Sequence, residues 1–234
     1  MSPSPLGHNQ NVKIAVIGSG IARAEYAHFL NQAASPNCDI TVYEKDNRLG
    51  GRVKKHSLGG GLIEQGATLT HSSYHYLKDI IESYQLKYAK PHGGEGEAET
   101  LSIWDGTSFK LNTSRNSFIS TMQMLWAYGK SLSDLSDRVK RMIPKWNQVY
   151  VQLGKGTTYN SLEELFKAIE LYDLTQQKSY NYFKQEGISD DLVYEFVDCI
   201  SRVNYHQDGH INAFADMVSL ADACLDRGDL FFCQ

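Results

Sequence analysis

The sequence predicts an α/β fold: a parallel β-α-β unit near the N-terminus, a glycine-rich hairpin after it, and a mostly helical second part. Three observations lead there. A β-branched run, "VKIAVI" at 12–17, leads into a glycine turn and then into a stretch with helical apolar spacing. A second apolar run, "DITVYEK" at 39–45, follows at the distance of a crossover connection. From 116 to about 200 apolar residues recur at helix-like intervals.

Each element has a local reason. Residues 1–11, rich in Pro, Ser and Asn, predict a disordered tail. Residues 12–17 suit a buried parallel strand, which is typically a continuous β-branched run. Gly18–Gly20 turn the chain. Residues 21–34 fit a helix whose apolar face holds Ile21, Ala24, Ala27, Phe29 and Leu30, and "SPN" at 35–37 ends it. The second strand, 39–45, carries Glu44 at its end. Next comes a loop, then two short strands turning at Gly59–Gly61. Residues 74–86 suit an amphipathic helix, and 91–100 an acidic glycine-containing loop. A hairpin over 101–111 turns at Asp105-Gly106, a strong turn dipeptide. Helical segments are expected over 116–152, 161–171, 175–185 and 190–203, with Ser161 and Glu164 spaced as a capping box. The stretch "DRGDLFFCQ" begins an apolar strand. The expected parts are a tail (1–11), a nucleotide-binding part (12–115), a helical insert (116–205) and the start of a further region (206–234).

Composition narrows the functional classes. With 234 residues and 41% hydrophobic content the chain can bury a sizeable core. A net charge of -4 argues against the basic footprint of a nucleic-acid binder. No apolar run reaches membrane-spanning length, and the polar start of the chain carries no secretory leader. Cys38, Cys199, Cys224 and Cys233 form no C-x-x-C pair and read as ordinary thiols. His71 and His75 are four residues apart without a third ligand, so no metal site is expected. Asn112-Thr113-Ser114 is a formal glycosylation sequon.

The β-α-β unit carries most of a dinucleotide fingerprint. Such a turn needs one glycine to bend tightly, a second to admit the pyrophosphate, and a third to pack helix on strand. Gly18 and Gly20 fill the first two roles, and Arg23 stands in the third. Glu44, 24 residues after Gly20, is placed to bind ribose hydroxyls. The Arg23 side chain must leave the helix–strand interface or push the helix outward. It reaches the pyrophosphate as a cation, or it displaces the fit. From the motif alone, Arg23→Gly is expected to tighten cofactor binding.

Beyond Glu44 and Lys45 come Arg48-x-Gly50-Gly51-Arg52 and then Glu64-x-Gly66-Ala67. This ordered set resembles the signature of flavin amine oxidases and their relatives. Three further stretches narrow the likeness: "IEQGATLTHSSYHYLKDIIESYQL", "LSIWDGTSF" and the helical run ending in "RVNYHQ". From about Val12 to Ala221 the chain resembles prenylcysteine oxidases, also called prenylcysteine or farnesylcysteine lyases.

That resemblance implies a Rossmann-like fold binding FAD. It implies cofactor contacts from Gly18, Gly20, Arg23, Glu44, Lys45, Arg48, Gly50, Gly51, Arg52, Gly66 and Ala67. The implied substrate is a prenylated cysteine, farnesyl or geranylgeranyl, cleaved with O2 to cysteine, a prenyl aldehyde and hydrogen peroxide. Arg202, Tyr205 and Gln207 are its substrate-side candidates, with a structural cap for the helix as the alternative. It implies a lysosomal location, and the missing leader makes the cytosol the alternative. No catalytic residue is assigned. The aromatic and Leu-rich insert suits a groove for a C15 or C20 chain, or an ordinary helical core. Three departures stand out: Ala22 and Arg23 replace a glycine pair, the secretory leader is missing, and the chain stops where the family continues. A truncated, non-catalytic paralogue or fragment that has lost turnover, and with it FAD, is therefore the second expectation. An NAD-dependent dehydrogenase is the third, and the Arg-x-Gly-Gly-Arg element argues against it.

Overall fold

The β-branched run at the start of the chain forms strand β1 (Val12–Ile17), parallel to β2 (Cys38–Tyr43), in register from Val12 opposite Cys38 to Ile17 opposite Tyr43. Helix α1 (Ile21–Ala33) connects them, so Glu44 lies one residue past β2. In this computed structural model the described residues are 12–34, 38–66, 70–71, 73–89, 100–224 and 230–233. The tail expected over 1–11 and nearly all of the acidic loop expected over 91–100 lie outside them. Strands β3 (Lys54–Leu58) and β4 (Gly61–Gln65) form an antiparallel hairpin turned by Gly59 and Gly60. These elements make a first compact unit, ending at residue 69. Its burial is shallow: among its described residues only Val16 and Ser19 are buried, and Ile17, Ile21, Tyr43 and Leu62 are exposed.

The second unit starts at Thr70. It contains β5 (Thr70–His71), α2 (His75–Ser83), β6 (Tyr88–Ala89) and the hairpin β7 (Ser102–Trp104) with β8 (Phe109–Asn112). Helices α3 (Ser117–Tyr128), α4 (Lys130–Gly154), α5 (Leu162–Ala168), α6 (Tyr172–Gln176) and α7 (Ser179–Gln185) follow. A π-helical stretch, Leu192–Val197, runs into α8 (Asp198–Tyr205), then come α9 (Ala213–Cys224) and β9 (Leu230–Cys233). β9 pairs antiparallel with both β5 and β6. Helix α4 sets the core. Leu135, Val139, Met142 and Val149 form one buried stripe on it, packed in a cluster with Phe183, Leu192, Val197, Met217 and Leu220.

The hairpin turn forms as its dipeptide implies: the Asp105 carboxylate accepts from the amides of Thr107 and Ser108, both at 2.7 Å. Its inward residues, Ile103 and Leu111, join the helical core. The sequence groups this hairpin with the nucleotide-binding part, 12–115. The structure packs it with the helices, and the division between units falls at 69/70.

Other expectations shift for local reasons. The single helix expected over 116–152 breaks at Gly129, whose φ of 55° a glycine adopts without strain. Asn116 starts α3 by accepting from the amides of Phe118 and Ile119. The capping box is offset by one residue: Ser161 accepts from the Glu164 amide at 3.2 Å, but the Glu164 carboxylate accepts from the Asn160 amide. Helix α9 has no counterpart among the expected segments. Its signal lies in Asn212, which caps the Ala215 amide at 2.9 Å, followed by Ala213, Met217 and Leu220 at helical spacing. His71 lies on β5 and His75 opens α2, so they do not share a helix. Among the described residues no three metal-ligating side chains gather, and no helix is long and apolar enough to cross a membrane.

Candidate functional site

The glycine turn is held to the end of β2. The Gly18 amide donates to the Tyr43 carbonyl at 2.6 Å, and the φ of +94° at Gly18 is one that side-chain-bearing residues rarely adopt. Helix α1 then opens at Ile21 with no side-chain cap and no acidic residue in its first turn. Its first two amides, Ile21 and Ala22, therefore have no partner within the helix and face an anion favourably. A Cβ built on Gly20 meets nothing within 4 Å, so the space before those amides is open.

Two further segments close on this turn. The Gly50 amide donates to the Ser19 carbonyl at 3.0 Å, and a Cβ on Gly51 comes within 3.0 Å of the Gly20 Cα. At the end of β4, a Cβ on Gly66 falls well inside van der Waals contact of the Arg52 carbonyl oxygen. Glycine is thus required where the Glu-x-Gly segment meets the arginine loop. Ala67, the next expected contact, lies outside the described residues. The result is a cavity of about 450 Å³ lined by Ile17 to Arg23, Tyr43 to Asp46 and Gly50 to Val53. That volume lies within the range of small-molecule sites.

The charged side chains divide into two sets. Glu44 is fixed by the turn: one carboxylate oxygen accepts from the Ser19 amide at 2.8 Å and the Ser19 hydroxyl at 2.6 Å, the other from the Asp46 amide at 3.1 Å. The Ser19 hydroxyl is the main cause holding its pKa down to about 2, so it is ionised at neutral pH. Of roughly four acceptor positions on a carboxylate, about one stays open for a ribose hydroxyl. Arg48 lies outside the cavity lining. Its guanidinium donates to the carbonyls of Leu49 at 3.2 Å and Val53 at 3.5 Å, and to that of Gly51. These bonds brace its own loop.

Arg23, Lys45 and Arg52 line the cavity, are exposed, and make no ion pair among the described residues. The helix is not pushed outward by Arg23. The amides of Arg23 and Ala24 both bond the Gly20 carbonyl at 3.0 Å, and the side chain folds over Gly18, its Cδ 2.9 Å from where a Gly18 Cβ would stand. Open space at Gly20, unpaired amides, three cations and an ionised acid at a strand end together fit the diphosphate and ribose of a dinucleotide.

The helical unit has its own cavity, of about 260 Å³, lined by Ser73, Tyr74, Met142, Ile143, Trp146, Phe214, Val218 and Ala221. Trp146 and Phe214 stand 5.5 Å apart, and Phe166 packs edge-on to Phe214 at 5.0 Å. Helical spacing brings the lining together: 142, 143 and 146 on α4, and 214, 218 and 221 on α9. Nothing in the sequence marks these residues, since the same spacing describes any buried helix face.

The substrate-side candidates lie elsewhere. Arg202 is exposed on α8 and reaches Asp198 at 3.5 Å. Tyr205 ends that helix and Gln207 follows in the loop, and none of the three lines either cavity. The Arg202 carbonyl accepts from the His206 amide, with His206 left-handed at φ 55°, which is a helix cap. The helical unit also holds a buried polar centre that no motif marks. Asp216, fully buried on α9, accepts from the hydroxyls of Ser179 and Ser201. Burial pushes its pKa up to about 6, partly opposed by those two hydroxyls and reinforced by Asp198. An acid inside the apolar run "AFADMVSLA" was the available signal.

Comparison with known proteins agrees with this geometry. A family model described as prenylcysteine lyase matches residues 111–227, half of the chain, and one described as an NAD(P)-binding Rossmann-like domain matches residues 16–84. Farnesylcysteine lyase of Arabidopsis thaliana is 28% identical over 223 residues, covering 89% of this chain and 44% of that protein. Prenylcysteine oxidase 1 of Homo sapiens is 26% identical, covering 92% and 42%. The chain thus spans less than half the length of the curated relatives it matches. Among solved structures, putrescine oxidase bound to putrescine superposes with a TM-score of 0.52 at 16% identity, covering 90% of this chain and 42% of that one. A triple mutant of putrescine oxidase gives 0.55 at 18%, covering 91% and 42%. At these identities the likeness is one of fold. With a Rossmann-like unit at its start and a family match across its helices, the chain belongs to the prenylcysteine lyase family.

Proposed function

We propose that this chain provides the FAD cradle and part of the substrate side of an FAD-dependent oxidase that cleaves prenylcysteine. The observation that carries this reading is the cradle: three separated glycine segments closed together around an uncapped helix N-terminus, in a chain of this family. When bound, FAD supplies the two-electron chemistry by which a prenylcysteine thioether, water and O2 become cysteine, a prenyl aldehyde and hydrogen peroxide. The chain's own residues bind and orient. The leading amides of α1 and the cations Arg23, Lys45 and Arg52 receive the diphosphate. The ionised Glu44 takes a ribose hydroxyl. Arg48 keeps the loop in shape by filling its carbonyls. We also propose a lysosomal working location, as the family resemblance implies, with the cytosol as the alternative.

A second reading, a nucleotide-binding relative without turnover, has one observation in its favour: the chain itself occupies most of Glu44 and all the observed bonds of Arg48. The two separate in one assay. The FAD-loaded chain is incubated with farnesylcysteine, and free thiol, aldehyde and peroxide are measured. Equal yields of all three are expected. Bound FAD with none of the three products would contradict the oxidase and leave the second reading.

A further inference from the structure

We propose that the apolar cavity between α4 and α9 is the seat of the isoprenoid chain. The proposal rests on the prenylcysteine reading above and assigns residues to it. Protein interiors pack as densely as organic crystals, so a lined gap in a helical core forfeits contacts unless something fills it. Dry apolar cavities take apolar guests. This cavity has no charged residue in its lining. Trp146 and Phe214 form hard, flat walls, and Met142 is a side chain that adapts to irregular shapes. Its hydroxyl-bearing residues are confined to Ser73 and Tyr74 ahead of α2, and Tyr74 is exposed. A chain seated on the hydrocarbon side would therefore present its polar end towards Ser73 and Tyr74. All six lining residues on α4 and α9 fall inside residues 111–227, the stretch matched by the prenylcysteine lyase model.

Both walls are helical, so the cavity is fixed by side-chain size rather than by loop position. Val218 and Ala221 are its small residues, four and seven positions after Phe214. Enlarging either fills the space without adding charge. A straight acyl chain is the competing hydrocarbon, and branching separates the two.

The test is equilibrium binding of S-farnesylcysteine to the full chain, beside S-hexadecylcysteine and free cysteine. We expect farnesylcysteine to bind, hexadecylcysteine to bind about tenfold more weakly, and cysteine not to bind. Val218→Phe and Ala221→Phe are each expected to weaken farnesylcysteine about tenfold or more while leaving FAD affinity unchanged. Unchanged farnesylcysteine affinity in both folded variants would move the seat elsewhere and leave the proposed function standing. Equal or tighter binding of the straight chain would overturn the isoprenoid assignment. If both variants misfold, a photoreactive farnesylcysteine on the wild-type chain decides. Labelling within 142–146 or 214–221 is expected, and labelling confined to other peptides would overturn the proposal. Failure of farnesylcysteine to bind at all would overturn the proposal and the substrate reading together. Failure of FAD alone would bear only on the cofactor part.

Discussion

Asp216 has no cation among its hydrogen-bond partners, only the hydroxyls of Ser179 and Ser201. Its sign is therefore opposite to that of a salt-bridged acid. The folded pKa, about 6, lies above the ordinary 3.8, so the folded state binds the proton more tightly than the unfolded one. Stability from this group is lowest above pH 6, rises as pH falls from 6 towards 4, and then levels. The gain is at most about 3 kcal/mol. Thermal unfolding followed from pH 7.5 to 4 should show that rise in the wild type and a flatter curve in Asp216→Asn. Equal slopes in the two would remove Asp216 as the cause. Arg23 lines the nucleotide cavity. The motif alone suggests that Arg23→Gly tightens FAD binding. The observed side chain leaves α1 in place and adds a cation at the cavity, so the geometry reverses the expectation. Titration with FAD should show weakening of about threefold to tenfold, shrinking with added salt. Tighter binding would mean the side chain obstructs the diphosphate. Neither side-chain placement was legible in the sequence: the Arg23 letter shows only that a glycine is missing, not where its side chain goes.

Glycine-to-backbone contacts decide the architecture of the cradle. Gly66 abuts a carbonyl, which cannot swing aside as a side chain can. Gly66→Ala should therefore displace the 48–53 loop and cost about 1–3 kcal/mol. It should also lower FAD affinity, whereas Gly59→Ala, with nothing near its Cβ site, should leave FAD affinity unchanged. Paired FAD titrations distinguish these outcomes, and equal loss in both variants would show that general hairpin disruption is responsible. Helix α3 raises a separate issue. Phe118, Ile119, Met122, Leu125 and Trp126 lie on one exposed stripe, with Trp126 92% exposed, while Met124 and Tyr128 pack inward. Such a surface favours association. Phe118→Ser with Trp126→Ser should lower the self-association seen by light scattering, and no change would indicate that other surfaces drive it. Strands, the Asp105-Gly106 turn and the apolar spacing of α4 were legible because each rests on local chemistry. The break at Gly129, the π-helical stretch before α8 and the offset cap at Asn160 were not, because tertiary packing settles them.

Across the whole chain, the order of the motifs is legible in the sequence and the packing between distant residues is not. The order of the glycine and arginine segments could be read directly, and the structure shows why they occur in that order: Gly50 bonds Ser19, Gly51 packs on Gly20, and Gly66 meets Arg52. The apolar cavity could not be read, because Met142, Trp146, Phe214 and Val218 have the spacing of any core. Arg202, Tyr205 and Gln207 entered through family likeness and line neither cavity. We infer that the first unit forms a dinucleotide cradle that tolerates Arg23. The most direct measurement is the visible absorption spectrum of the purified chain before and after adding FAD and removing the excess. A retained flavin spectrum, lost in Gly66→Ala, is the predicted result. A wild-type chain that stays colourless after loading would mean that the cradle does not hold FAD.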